Sequence, residues 1–468
     1  MNAEEHRCDL LTGEDRKFAI DSSTPSNHLS CTVEMLRVDK KVEVVVIDEI
    51  QMLRDDNRGW AWTRALLGAA ADEIHLCGEK SAVPIVRRLL STIGEDVNVQ
   101  EYERKSKLVL STHSLRDVGN VQPGDCIVAF SKRKIYEIAR NLEKKGVQCA
   151  MIYGDLPPDT KLLQSESFNN PKNPIKVLVA TDAIGMGLNL NISRIIFDSL
   201  KRPISKNWLT AAHVKQIAGR AGRFSSQYSK GEVLTLHDVD MPILNRLLQE
   251  RIPDIQQAGI APTADMLETF SFYLPKATFV ELLSIFQSVC QLSNDFFLSQ
   301  FDQVMERAKL IDDIPLPLNI RYIFCKVPFD TTTNRQACSV FTKMARLFSQ
   351  GRLITWDWLQ YNIHLPSSPP RIMQDFGAYE QVYGVLDCYL WLSMRFDEFC
   401  DSEKVREEQN KLAYMINEGI KFVLTREKVG EEFDSNFTEK ISISTEKMSP
   451  LEIKNAVLSM KKRRCANK

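Results

Sequence analysis

The chain has 468 residues, of which 44% are hydrophobic, so it can bury two or three cores of ordinary domain size. Its 60 Lys and Arg residues balance 61 Asp and Glu residues, and the formal net charge is -1. This balance excludes a polybasic nucleic-acid coat or an acidic solvating tail, although a local basic groove can still bind RNA or DNA.

The cysteines and the apolar segments argue against further classes of protein. The 11 cysteines are scattered without a C-x-x-C pair, which argues against a zinc site or a disulfide framework and favours a reducing compartment. No apolar run approaches the ~20 residues that span a bilayer, so we expect no membrane insertion. The opening segment carries several acids and lacks the pattern of a signal or transit peptide.

Between Val42 and Leu236, short β-branched runs alternate with helix-like stretches. This order predicts strand, helix, strand units and hence an α/β fold with parallel sheets covered on both faces. The predicted strands are VEVVVID (42–48), EIHLCG (73–78), DCIVAF (125–130), QCAMIY (148–153), KVLVAT (176–181) and SRIIF (193–197). The predicted helices are Gly59 to Ala71, Lys132 to Lys145 and Asp159 to Asn169.

The strand pattern weakens between Leu108 and Pro123, which we interpret as a seam between two α/β domains. Beyond Glu250, apolar residues recur at three-to-four spacing, which predicts an all-α third domain. Its helices are separated at Pro315, Pro317 and 367–370. The predicted domains are therefore 1–107, 108–250 and 251–426, followed by a polar, flexible tail at 427–468.

Asp48 and Glu49 form the most informative pair, because they directly follow the apolar run VEVVVI. P-loop NTPases use a buried strand to deliver carboxylates to its C-terminal edge, where they hold magnesium and activate water. In this interpretation Asp48 binds Mg²⁺ and Glu49 polarises the attacking water. A solvated acidic turn remains the simpler explanation of the pair taken alone.

A second candidate is QIAGRAGR (216–223), which begins on a predicted helix. Gln216, Arg220 and Arg223 lie within two turns, and Gly219 and Gly222 permit close backbone approach. Two arginines at this spacing can both contact a transferring γ-phosphate. A salt-bridged helix surface is the alternative for this string alone.

A third candidate is the loop that follows the strand ending at Thr181. Its glycines, Gly185 and Gly187, turn the backbone so that amides and short side chains can approach phosphates. Such a loop could contact both nucleotide and nucleic acid and so couple them. An ordinary strand-to-helix turn explains the glycines alone.

Together these strings resemble the motifs of superfamily 2 helicases, whose acidic and arginine motifs lie in successive RecA-like domains. Further segments are similar to helicase motifs in the same order: CTVEM (31–35), LCGE (76–79), AFSK (129–132) and IYGDLPP (152–158). The resemblance implies backbone-directed RNA contacts by Thr32, Ser131 and Thr181. It implies nucleotide contacts by Asp48, Gly78, Glu79, Gly185, Gly187, Gln216, Arg220 and Arg223.

A narrower resemblance is to the mitochondrial RNA helicases of the Suv-three type. It rests on DEIQ (48–51), RDDNRGWAWTRALLG (54–68) and PLPLNIRYIFCKVPF (315–329), and runs from about Cys8 to at least Leu424. It implies ATP and Mg²⁺ as cofactors and ATP-driven 3′-to-5′ unwinding of RNA, with some activity on DNA. It also implies RNA degradation and surveillance in the mitochondrial matrix or the nucleus, with a 3′ exoribonuclease such as polynucleotide phosphorylase as partner.

One family motif does not occur in the sequence. No G-x-x-x-x-G-K-[ST] is found in the 468 residues, although the family places this P-loop upstream of the acidic strand. We therefore predict an incomplete first RecA-like domain, arising from a truncated gene model, a fragment, a short isoform or a degenerate paralogue. Such a chain would expose an apolar edge and hydrolyse little ATP by itself. The alternative function is a non-catalytic RNA-binding scaffold that docks on a nuclease.

Two smaller features each have more than one explanation. Trp60 and Trp62 can stack on RNA bases, or they can pack in the core or at its rim. The basic run KKRR at 461–464 can bind RNA, act as a nuclear address or form a solvated end.

Overall fold

The computed structural model describes residues 6–13, 15–185, 187–202, 207–222, 227–228 and 230–425. The chain begins with a small sheet in the order β2-β1-β3, formed by β1 (Cys8–Leu11), β2 (Arg16–Lys17) and β3 (His28–Cys31). The Asp9 carboxylate joins this sheet to the following loop, since it accepts hydrogen bonds from the backbone nitrogens of Ala19 and Ser26, both at 2.9 Å.

The next unit contains two of the predicted strands. β4 (Val42–Ile47) pairs in parallel with β5 (Ala71–Leu76), and α1 (Gly59–Gly68) and α2 (Val83–Ser91) pack beside them. The predicted helix reached Ala71, but α1 ends at Gly68 because Ala71 already begins β5.

The prediction that both faces of these strands are covered is wrong for β4. Val45 and Ile47 are buried against α1 and α2, whereas the alternate side chains Val44 and Val46 are 52% and 64% exposed. Side chains of a strand point alternately to opposite faces, and in the described residues the helices cover only one of them. This face of β4 therefore exposes apolar surface.

The second sheet has six parallel strands in the order β6-β11-β10-β7-β9-β8. The four predicted strands are confirmed, and every residue of the three at 125–128, 149–152 and 177–180 is buried. The strands are β6 (Lys107–Leu110), β7 (Asp125–Val128), β8 (Cys149–Ile152), β9 (Val177–Ala180), β10 (Arg194–Phe197) and β11 (Lys230–Thr235). Their helices are α3 (Lys132–Lys144), α4 (Pro158–Asn169), α5 (Ala211–Ala218) and α6 (Met241–Gln249).

The winding of this sheet reverses between β7 and β10. After β7 the chain passes through α3 to β8 and β9 on one side, whereas after β10 it passes through α5 to β11 on the other side. Such a switch point leaves a crevice outside the carboxyl ends of the two adjacent strands. At the opposite end, the buried Asp125 carboxylate pairs with Arg194 at 2.6 Å and so joins β7 to β10.

The remaining described chain is largely helical, as the apolar spacing predicted. A short parallel pair, β12 (Ala258–Ile260) and β13 (Phe296–Leu298), was not predicted; β12 lies so close to α1 that a Cβ added at Gly259 would be 3.0 Å from the Trp60 nitrogen. The helices are α7 (Ala264–Ser271), α8 (Phe279–Val289), α9 (Phe301–Leu310), α10 (Leu318–Cys325), α11 (Arg335–Ser349), α12 (Trp356–Asn362), α13 (Phe376–Ser393) and α14 (Ser402–Thr425).

Prolines separate some of these helices. Pro317 caps α10, because its ring sets φ for a helix start and its missing N–H is not needed there. Among the residues that the structure describes, no helix combines the length and apolar character needed to cross a bilayer. The predicted tail at 427–468 lies outside the described residues.

Candidate nucleotide and RNA site

Asp48 and Glu49 follow β4 directly and form a tight turn at its carboxyl end. Glu49 has φ 55° and ψ 45°, the left-handed conformation, and its N–H donates to Asp48 Oδ1 at 2.8 Å. The Trp62 indole N–H donates to the Asp48 carbonyl oxygen at 2.9 Å, so α1 holds the turn in place. A left-handed non-glycine residue costs about 1–3 kcal/mol and is found preferentially at functional sites. This local strain supports a functional interpretation over a simple solvated turn.

Gln51 links this turn to the end of β5. Its side-chain amide donates to the Glu49 carboxylate, and its Oε1 accepts the Glu79 N–H at 3.1 Å. A Cβ added at Gly78 would lie 2.4 Å from Gln51 Oε1, so only glycine allows this contact. Sequence reasoning assigned Gly78 to the nucleotide and gave Gln51 no role. The structure places Gly78 against the Gln51 amide, and Gln51 joins the Glu49 carboxylate to the backbone of Glu79.

Arg220 approaches the same turn from the second sheet. Its Nη2 atom lies 3.7 Å from Glu49 Oε1 and donates a hydrogen bond to the Gly185 carbonyl oxygen. Both charged side chains are largely shielded, with exposed fractions of 16% for Arg220 and 32% for Glu49. Gln216, one turn earlier on α5, lies beside Gly185, where an added Cβ would be 3.8 Å from the Gln216 side chain. The structure therefore brings the acidic, loop and arginine motifs together.

Gly187 and Arg223 complete the set of residues predicted for this site. Gly187 has φ +75°, but a Cβ there would meet nothing within 4 Å, so its backbone conformation and not close packing favours glycine. Arg223 lies outside the described residues.

Further charged side chains line the cleft on both sides of this contact. Arg54 Nη2 lies 3.5 Å from Glu79 Oε2, and Arg202 Nη2 lies 3.3 Å from Asp182 Oδ2. Burial, reinforced by the positive charge of Arg202, lowers the pKa of His213 and so favours the neutral ring. The cleft therefore offers paired acids and arginines, the groups that bind a metal-complexed phosphate chain.

Ser131 and Thr181 follow β7 and β9, which are adjacent strands, so they lie at the same carboxyl edge of the second sheet. Ser131 caps α3 by accepting the Lys134 N–H at 3.2 Å, and Thr181 Oγ1 accepts the Ala183 N–H at 3.2 Å. Each hydroxyl keeps a proton that it can donate to a phosphate oxygen. This arrangement is compatible with the predicted RNA contacts.

Thr32 follows β3, and the turn after it contacts a group of cationic side chains that the sequence did not reveal. Arg64 donates to the Leu36 carbonyl oxygen at 3.1 Å, and Arg395 Nη2 lies 3.9 Å from Met35 Sδ. Lys326 lies over the rings of Tyr322 and Trp60, 4.3 and 5.3 Å from their centroids. Trp60 is therefore partly packed, and Trp62 is buried in the core.

Lys326→Met is expected to raise the melting temperature at pH 7 by about 2 °C. Burial, reinforced by Arg64 and Arg395, lowers the pKa of Lys326 to about 8, so the folded state disfavours the ammonium. Between that value and the unfolded value of about 10.4 the unfolded state binds more protons, and the parent chain gains stability as pH rises. The advantage of the variant in thermal melts should therefore shrink from pH 8 to pH 10. Exposed Lys404→Met is the control, and an equal pH trend in both variants would contradict the prediction.

The residues present fit the magnesium-binding part of a nucleotide site. No cluster of three or more His, Cys, Asp or Glu side chains with metal-ligand geometry occurs among the described residues. Mg²⁺ in nucleotide sites commonly takes one or two protein carboxylates together with phosphate oxygens and waters, which exposed Asp48 can satisfy. The backbone cradle of a P-loop has no counterpart motif in the sequence.

Family models match most of the chain. Residues 1–102 match the DEXQ-box helicase domain of Suv3, and residues 107–225 match the helicase conserved C-terminal domain. Residues 306–349 match Suv3 C-terminal domain 1, and residues 377–422 match the C-terminal domain of the ATP-dependent RNA helicase SUV3.

Individual proteins show the same likeness. The mitochondrial ATP-dependent RNA helicase SUV3 homolog of Caenorhabditis elegans is 52% identical over 424 residues, which cover 90% of this chain and 59% of that protein. The mitochondrial DExH-box ATP-dependent RNA helicase DExH16 of Arabidopsis thaliana is 38% identical over 416 residues, which cover 88% of this chain and 71% of that protein. A solved structure of S. cerevisiae Dbp5 bound to RNA and ADP BeF3 aligns with a TM-score of 0.40 and 16% identity over 53% of this chain and 70% of that chain. The chain thus spans less than two thirds of the C. elegans protein, and it belongs to the Suv3 family of ATP-dependent RNA helicases.

Proposed function

We propose that the chain supplies the acidic, arginine and RNA-binding parts of an ATP-driven RNA helicase. The observation that carries this proposal is the approach of Arg220 to Glu49 at 3.7 Å, since two sheets deliver these side chains to one cleft. Asp48 would hold Mg²⁺, which would supply positive charge against the phosphate chain. Glu49 would polarise the attacking water, while Gln216, Arg220 and Arg223 would contact the γ-phosphate. Gly78, Glu79, Gly185 and Gly187 would shape the nucleotide side of the cleft.

The RNA would run across the carboxyl edge of the second sheet and past the cationic group near Thr32. Thr32, Ser131 and Thr181 would bind the sugar–phosphate backbone, which carries no sequence information. Arg64 and Lys326 would add positive charge on the side formed by α1 and α10. We therefore propose binding of single-stranded RNA without sequence preference, with weaker binding of DNA.

Thr181→Val is expected to weaken RNA binding about fivefold, because it removes one neutral hydrogen-bond donor and keeps the shape of the side chain. Fluorescence anisotropy with single-stranded RNA over a range of salt concentrations measures the effect. The salt slope should stay unchanged, because no counterion-releasing cation is lost. Exposed Thr269→Val on α7 is the matched control. Unaltered RNA affinity in both Thr181→Val and Ser131→Ala would refute the proposed path.

The biological role that we propose is mitochondrial RNA degradation and surveillance with 3′-to-5′ polarity. Its support is the family resemblance together with the names of the relatives, which are mitochondrial helicases. A 3′ exoribonuclease such as polynucleotide phosphorylase would consume the unwound strand in the matrix, and nuclear action is a second location. Unwinding of duplexes with a single 3′ or 5′ overhang by the family enzyme tests the polarity.

A second candidate function is that of a non-catalytic RNA-binding scaffold that docks on a nuclease. It is favoured by one observation, the lack of a G-x-x-x-x-G-K-[ST] motif in the 468 residues. An in-frame motif of this kind upstream in the transcript would support the helicase function. Its absence from well-covered upstream sequence would support the scaffold function.

A further inference from the structure

A cavity of about 400 Å³ lies at the switch point of the six-stranded sheet. Its lining comes from the segments that follow β7 and β10, including Ser131 and Lys134 on one side and Asp198, Lys201 and Arg202 on the other. Ligands of open α/β sheets bind in the crevice at this position. Neither Glu49 nor Arg220 lines this cavity, although Arg202 at its rim also pairs with Asp182 of the nucleotide cleft.

Asp198 has unused hydrogen-bonding capacity. Its residue surface is only 7% exposed, and Oδ1 has no hydrogen-bond partner among the described residues. The nearest cation is Lys134 Nζ at 3.8 Å, which lies closer to Glu137 at 2.9 Å. A buried carboxylate without a donor is costly, so the position calls for a donor from a ligand. Burial is also the main cause that raises the pKa of Asp198, against the lowering effect of Lys134 and His237.

The other groups of the cavity favour an anion next to that carboxylate. Ser131 is the N-cap of α3, a helix of 13 residues whose N-terminus attracts negative charge. Lys134, Lys201 and Arg202 add three cations against the single carboxylate of the lining. Arg202 is also paired with Asp182, and Lys201 lies over the Trp208 ring at 4.2 Å. The cavity thus favours an anion beside the cations and a hydrogen-bond donor beside Asp198. A phosphate with a neighbouring hydroxyl group supplies both, and RNA carries this combination whereas DNA lacks the hydroxyl.

We propose that the cavity binds one ribonucleotide of the RNA strand and that Asp198 accepts a hydrogen bond from its 2′-hydroxyl group. The phosphate of that nucleotide lies at the N-terminus of α3, near Ser131. Asp198 is thereby a specificity-determining residue that distinguishes RNA from DNA. The inference rests on the RNA binding proposed above and adds the sugar as the recognised group.

The test compares binding of RNA and DNA strands of the same sequence to the full 468-residue chain by fluorescence anisotropy. Asp198→Ala should lower the ratio of RNA to DNA affinity about tenfold, because a hydrogen bond to a charged acceptor is lost. Glu166→Ala is the control, because it removes an exposed acid near the end of α4 that does not line the cavity. Its ratio should match that of the parent chain.

A scan of RNA strands with a single 2′-deoxy nucleotide makes the assignment atom-specific. One position should weaken binding by the parent chain about tenfold and should weaken Asp198→Ala no further, since both changes remove the same contact. The scan on the parent chain needs no variant, and Asp198→Leu, which also lacks an acceptor, replaces the alanine variant if the latter fails to fold.

Five outcomes would overturn the inference. Equal loss of RNA and DNA affinity would make Asp198 a structural residue, and an unchanged ratio would exclude it from sugar recognition. Sensitivity to a base change instead of the 2′-deoxy change would assign the carboxylate to a base amino group. If the parent chain binds neither strand, the proposed RNA binding is wrong as well. If it binds both strands equally well, only the proposed recognition of the sugar is wrong.

Discussion

RNA-stimulated ATP hydrolysis by the purified 468-residue chain is expected to be at least about a thousandfold slower than that of a Suv3-family helicase with a P-loop. The P-loop backbone amides and lysine hold the β- and γ-phosphates, and loss of even one preorganised donor typically lowers kcat about 10²–10³-fold. Asp48, Glu49 and Arg220 are assembled, but the sequence holds no G-x-x-x-x-G-K-[ST] to bring a phosphate between them. Steady-state phosphate release with and without RNA measures the rate.

Glu49→Gln and Arg220→Ala provide the controls for this experiment. If the parent rate is background, both variants retain it, and the C. elegans relative or another enzyme of the family serves as the positive control. Robust turnover by the chain that Glu49→Gln abolishes would refute the prediction. Such a result would also leave the scaffold function without support, because the cleft would then hydrolyse ATP although the sequence lacks that motif.

Gly222→Ala is expected to lower the free energy of unfolding of the region around the six-stranded sheet by about 3 kcal/mol. Gly222 has φ +63°, and a Cβ there would lie 2.2 Å from the Gly231 nitrogen and 2.5 Å from its Cα. The left-handed conformation costs about 1–2 kcal/mol for alanine, and overpacking adds about 1–3 kcal/mol. The contacted atoms belong to the backbone of β11, which cannot move without disturbing its pairing with β10. Thermal or urea unfolding followed by circular dichroism measures the shift.

Gly146→Ala separates these two contributions. Gly146 has φ +78° just after α3, but a Cβ there would meet nothing within 4 Å. It should therefore show only the conformational cost, about 1 kcal/mol. Equal midpoints for the two variants would mean that β11 adjusts to the added methyl group and that steric contact does not make glycine necessary at position 222.

The sequence by itself determined the order of the elements and the chemistry of the motifs. The buried strands β7, β8 and β9 are continuous apolar runs, and such runs predict strands whatever their neighbours are. The helices beyond Glu250 follow from apolar spacing, which also depends only on local sequence. Asp48, Glu49, Gln216 and Arg220 could be chosen because their residue types match the chemistry of phosphate transfer. The uncovered face of β4 could not be predicted, since an apolar strand looks the same whether one or both faces are packed.

Only the tertiary structure decided which of these residues meet and what supports them. Glu49 and Arg220 lie far apart in the sequence, and their approach depends on how two sheets pack in the fold. Gln51 gains its positioning role because β4 and β5 are neighbours, and Asp198 lies beside Ser131 because β7 and β10 are adjacent at the switch point. No local pattern encodes such contacts, because side-chain periodicity reports which face of an element is buried and not which distant strand end lies next to it.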